Sequence, residues 1–171
     1  GTMVAVSAGT RMRPRVYLET TVISYLTALP SRDIVQAAHQ QQTRDWWAHR
    51  RRFDLFASQA VVVEASRGDV GAAALRLAAL EGVSLLEISD EAEELAARLL
   101  GARVVPRKAA VDALHVAIAV VHGMHYLLTW NCAHIANAAI RGRIEFECRE
   151  AGFEPPAICT PEELMGDGNG S

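Results

Sequence analysis

Apolar positions in this chain come in two rhythms. Short apolar runs fall at residues 15–19, 53–58, 82–88, 124–131 and 157–160. Runs of that length without clean alternation suit strands buried on both faces of a parallel sheet. Between them lie longer segments with helix-like spacing and recognisable ends. Residues 22–29 follow Thr20-Thr21, either of which can cap, and stop at Pro30. Asp33 opens a helix to about Arg50, and a segment from Val61 carries Glu64 and closes at Gly68-Asp69. Residues 70–80, 89–100 and about 133–150 complete the outer helices, the second ended by Gly101 and the third broken by Pro155-Pro156. Pro161 starts a final turn, and residues 166–171 read as a frayed tail. Strand followed by helix, five times over, predicts an α/β fold with a five-stranded parallel sheet.

The most informative segment is 108–123, where Ala, Leu, Val and Ile dominate and Gly123 provides the stop. It reads as a buried helix. Asp112 stands inside that apolar run, and a buried carboxylate demands a cation, a donor or a wet cleft. His115, three residues on, shares its face. The strand that follows delivers Thr129 and Asn131 to a strand end. In open parallel sheets ligands bind at the strand C-termini, beside the point where strand order reverses. Glu19 and Asn131 end strands, while Glu64 and Asp112 sit on helices that can lean over the same edge. Three carboxylates and an amide are hard oxygen donors suited to Mg²⁺ or Mn²⁺, with Thr129 holding a water or a ligand carboxylate.

Composition narrows the setting. With 171 residues, half of them hydrophobic, the chain suits one domain with a substantial core. A net charge of −3 argues against a broadly basic nucleic-acid binder and leaves room for a local basic rim. Arg50-Arg51-Arg52 reads first as a solvated face and second as a phosphate-contacting rim. Arg103, Arg107 and Lys108 precede the central helix, where cations are mildly unfavourable, which favours a role with anions. Cys132, Cys148 and Cys159 are an odd number without a C-x-x-C pair and fit a reduced cytoplasm. No apolar run reaches the ~18–20 residues of a membrane span. The first residues show no secretory signal. Gly1-Thr2 reads as a cloning remnant, and Met12 is a second candidate start.

Four stretches carry a resemblance. Val16-Tyr17-Leu18-Glu19-Thr20-Thr21, Ser58 with Val61 and Glu64, Asp112-Ala113-Leu114-His115, and Leu127-Leu128-Thr129-Trp130-Asn131 resemble, in order and spacing, the four motifs of PIN-domain ribonucleases. Among these the VapC-like toxins of type II toxin–antitoxin systems are most similar. The resemblance implies a single PIN-like three-layer domain over 15–165, with 1–14 an extension. It also implies Mg²⁺- or Mn²⁺-dependent RNA cleavage, a homodimer and an antitoxin partner. Glu19, Glu64, Asp112 and Asn131 take the metal positions, with Thr129 as the polar helper. Glu19 and Asn131 stand where that family commonly has aspartate, so the metal sits farther from the first strand and a second metal is less well supported.

Three rival readings follow from the same residues. One is a PIN-fold RNA- or partner-binding protein with weak or no nuclease activity, supported by Asn131. A receiver-like phosphoacceptor lacks the acidic pair and the lysine it needs, Lys108 being the sole lysine. A zinc site from His115, His122, His125, His134 and Cys132 lacks ligand spacing, and His115 reads better as a core residue or a partner of a ligand.

Overall fold

A computed structural model describes residues 12–165. Most of the extension expected at 1–14 and the tail expected at 166–171 therefore lie outside the described residues. Within them the α/β expectation holds: five strands form one all-parallel sheet, an arrangement consistent with a PIN-like three-layer fold. In chain order the elements are β1 (Arg15–Leu18), α1 (Thr20–Thr27), α2 (Ile34–Ala48), β2 (Asp54–Ser58), α3 (Gln59–Ala65), α4 (Val70–Ala79) and β3 (Ser84–Leu86). They continue with α5 (Asp90–Gly101), α6 (Ala110–Val121), β4 (Tyr126–Leu128), α7 (Ala138–Glu150), β5 (Ala157–Cys159) and α8 (Pro161–Met165). Single 3₁₀ turns at Arg50–Arg52 and Arg107–Ala109 lead into β2 and α6.

The strand order is β3-β2-β1-β4-β5. The chain winds outward from β1 to β3, then crosses back to start again at β4. Right-handed crossovers place the helices of the two halves on opposite faces. Accordingly α1 packs with α2, α3 and α4, whereas α5 packs with α6 and α7. The first strand is central, and the reversal of direction falls between β1 and β4.

Several boundaries differ from the sequence reading. Helix α1 starts at Thr20, because Glu19 rather than a threonine caps it, accepting from the Thr21 amide at 3.1 Å. It ends at Thr27, two residues short of the expectation. Residues 131–137 are turns rather than the first turns of α7, whose cap is Asn137, bonded to the Ile140 amide at 3.0 Å. Gly123 does end α6. Its φ of +67° is left-handed, and the Gly123 and Met124 amides bond back to Val120 and Ala119.

Trp46 and Trp47 divide as adjacent helical residues must: Trp46 is fully buried and Trp47 half-buried. Exposed apolar side chains include Leu29, Ile34 and Val35 around the α1–α2 turn and Val70, Leu75 and Leu77 on α4. No described helix is long and apolar enough to cross a membrane.

Candidate metal centre

The candidate centre lies where β1 and β4 end side by side. Past Leu18 the ladder continues for one step, the Glu19 amide bonding the Leu128 carbonyl at 3.1 Å. This turns the Glu19 side chain into the protein, and it is only 2% exposed. Two threonine hydroxyls donate to its Oε1: Thr21 at 2.5 Å and Thr129 at 2.5 Å. Each threonine oxygen in turn accepts a backbone amide from the chain beyond β4, Trp130 onto Thr21 at 2.8 Å and Asn131 onto Thr129 at 2.9 Å. Glu19 is thus held by a built cradle. Burial pushes its carboxyl above the ordinary value, while His115, Thr129 and Thr21 pull the other way without cancelling the shift.

Glu64 reaches the same place from the last turn of α3, with its side chain 27% exposed. Thr20 donates to its Oε1 at 2.7 Å, and His115 Nε2 meets the same oxygen. Burial acts to raise the Glu64 carboxyl, but its hydrogen bonds with His115 and Thr20, with Arg67 nearby, outweigh it and lower the net value. Ligand atoms of Glu19, Glu64 and His115 lie within 4.8 Å of one another. This is the one such group of His, Cys, Asp and Glu among the described residues. Two carboxylates converging on a half-open edge are a donor set that fits Mg²⁺ or Mn²⁺.

Of the residues singled out in the sequence, Glu19, Glu64 and Thr129 come together. Asp112 does not join the 4.8 Å group. It is half-buried in the first turn of α6 rather than buried, and it forms no ion pair among the described residues. The full burial expected of that helix begins beyond it, over residues 115–120. Asn131 is engaged as a turn cap, its Oδ1 accepting the His134 amide at 3.0 Å. Asn131→Ala should therefore cost about 1 kcal/mol, whereas Asn131→Asp keeps the acceptor and should cost little; paired thermal melts check this, and equal losses would contradict the capping role.

Neither protein-family models nor curated proteins match this chain.

Sequence reading missed the groups behind the carboxylates. Tyr17, Thr20, Thr21 and Ser58 all bond into the centre, while His115, read from the sequence as a core residue or a partner of a ligand, is fully buried and meets Glu64. His122 and His125 bond backbone groups of Glu87 and Arg15 instead. One signal was present: a tyrosine in an apolar central strand must find a partner for its hydroxyl. Arg50–Arg52 precede β2 and so lie at the opposite end of the sheet from Glu19. That leaves them the solvated role. Arg103, Arg107 and Lys108 are exposed and lie in the segment that leads into α6, whose first turn carries Asp112.

Proposed function

We propose that this chain is a metal-dependent endoribonuclease that hydrolyses RNA phosphodiester bonds, the toxin of a toxin–antitoxin pair. The observation that carries this reading is the convergence of Glu19 and Glu64 at the strand C-termini, beside the β1–β4 switch point. The resemblance of four stretches to PIN-domain ribonucleases, in order along the chain, supports it. Glu19 and Glu64 would hold a Mg²⁺ or Mn²⁺ ion directly, with Asp112 and Asn131 as outer candidates. The bound ion would orient the phosphodiester and lower the pKa of the attacking water. Thr129 and Thr21 keep Glu19 aimed, and Arg103, Arg107 and Lys108 offer phosphate contacts that set position rather than sequence. The free cysteines Cys132, Cys148 and Cys159 suit a reducing cytoplasm.

Cleavage of structured RNAs with Mn²⁺, against EDTA, tests the assignment; no metal-dependent cleavage would remove it. Binding of the ion to the folded state alone should also stabilise the protein. At ~100 times the dissociation constant the gain is about 2.7 kcal/mol. Millimolar Mn²⁺ should therefore raise the melting temperature beyond K⁺ at matched ionic strength, and equal melts would count against a metal centre.

A homodimer and a small antitoxin belong to the same proposal. The exposed Leu29, Ile34, Val35 and Val70 provide apolar area for contact. Light scattering at micromolar concentration should give twice the chain mass, and a clean monomer would remove the dimer. A neighbouring gene for a small DNA-binding protein would support the antitoxin. A second reading, an RNA- or partner-binding protein that cuts weakly, is favoured by Asn131 serving as a cap and Asp112 standing outside the carboxylate group.

A further inference from the structure

We propose that His115 is a positioning residue for Glu64 and not a ligand of the cation, with Ser58 and Tyr17 fixing the tautomer in which it acts. The inference rests on the metal-dependent reading above and adds the group that aims one of its ligands.

Four side chains stand in a row behind the centre. Ser58 Oγ lies 2.8 Å from the Tyr17 hydroxyl, and that hydroxyl lies 2.7 Å from His115 Nδ1. His115 Nε2 then meets Glu64 Oε1. Ser58, Tyr17 and His115 are all fully buried. Distances leave open which way the hydrogens point, but the end of the row decides it. Among the described residues Ser58 Oγ has the Tyr17 hydroxyl as its sole partner, and it makes no capping bond at the start of α3. A buried hydroxyl hydrogen needs an acceptor. Ser58 therefore donates to the Tyr17 oxygen, and Tyr17 donates onward to Nδ1. The opposite polarity would strand the Ser58 hydrogen.

With Nδ1 accepting, the neutral imidazole carries its hydrogen on Nε2, aimed at Glu64. A protonated Nε2 has no lone pair for a metal. His115 is near the carboxylates because it orients one of them. Both donors to Glu64, His115 and Thr20, converge on Oε1. Among the described residues Oε2 receives none, so it is the oxygen left for the cation. The row links β1, β2, α3 and α6, so the aim of Glu64 is set by the sheet and not by α3 alone.

The experiment has a metal-free and a metal-bound part. Nitrogen NMR of the metal-free protein should show His115 with a bare Nδ1 and a protonated Nε2; hydrogen on Nδ1 overturns the proposal. Mn²⁺ affinity is then followed by electron paramagnetic resonance for the parent, His115→Gln and His115→Leu. The glutamine amide keeps an N–H donor near Nε2 and has no nitrogen lone pair. His115→Gln should bind within about three-fold of the parent, while His115→Leu should lose about 10–100-fold. Equal losses overturn the positioning role, as does a nitrogen coupling from an imidazole bonded directly to Mn²⁺ in the parent. Thermal melts show whether the variants fold; if they do not, the tautomer and the coupling in the parent decide. RNA cleavage is assayed alongside. A parent that binds Mn²⁺ as described and cuts no RNA removes the nuclease reading and leaves the role of His115. A parent that cuts RNA and shows direct nitrogen coupling removes only the role of His115. A parent that binds no Mn²⁺ removes both.

Discussion

Glu19→Gln should reduce Mn²⁺-dependent RNA cleavage to background while leaving the chain folded. The substitution keeps the shape of the side chain and one carbonyl acceptor, and removes the charge. Because Glu19 also caps α1 and receives two threonine hydroxyls, the loss of acceptor strength should cost about 0.5–2 kcal/mol, as for other caps. Removing a charge that is almost wholly desolvated works in the opposite direction. The balance depends on pH, and its sign can be derived. The Glu19 carboxyl is raised in the folded state by burial, so the folded protein takes up its proton at higher pH than the unfolded chain does. Its charge therefore burdens the fold fully above the raised value, and the burden vanishes below the ordinary value of 4.5. In EDTA the variant should gain on the parent as pH rises through that window and lose ground as pH falls. Glu64, lowered rather than raised, contributes stability that is lost on acidification, but it is present in both proteins and cancels. A variant that cleaves at near the parental rate would end the assignment of Glu19; a variant that gains on the parent as pH falls would contradict its charged burial.

The second large effect concerns a residue whose surroundings explain nothing of its presence. Asp112→Asn should cut cleavage by at least about 100-fold, the scale on which positioned catalytic groups act, with little change in melting temperature. A carboxylate paired with a buried cation would cost about 3 to 5 kcal/mol to neutralise, because the partner would be stranded. Asp112 has no ion-pair partner among the described residues and is half-buried. What it does for the fold is limited to its place in the first turn of α6, where a negative charge is worth about 0.3–1 kcal/mol. A plain loss of stability in Asp112→Asn would reveal a structural partner. Unchanged cleavage would instead place the chemistry on Glu19 and Glu64 alone.

The strands were legible because the central strands, covered on both faces, and even the exposed edge strand β3 leave short, mainly apolar runs, and five such runs could be counted along the chain. Glu19 and Thr129 were legible for a related reason: both are polar residues at the ends of apolar strands, where the geometry of an open sheet gathers function. Asp112 was misjudged in depth. A helix that is apolar over most of its length need not be covered at its first turn, and periodicity alone does not say where the cover begins. The cap of α1 was misplaced because glutamate is a rarer cap than threonine, and only the third dimension shows Thr21 engaged with Glu19 instead. His115 was legible as a core residue or a partner of a ligand, but the row it forms with Tyr17 and Ser58 was beyond reach for a different reason. Their partners lie 41 to 98 residues away, and no local rule links positions at such separations.

The central place of β1 has a consequence for the newborn chain. Its neighbour β4 is among the last strands to be made, and the hydroxyl of Thr129 that completes the cradle of Glu19 lies 110 residues downstream. At ~5–20 residues per second, a ribosome takes about 5 to 20 s to cover that distance. Throughout that interval Glu19 has water where its threonine will be, and the edge of the sheet that should close around it does not yet exist. Any chemistry that needs this carboxylate in its final setting must wait until Thr129 has been made.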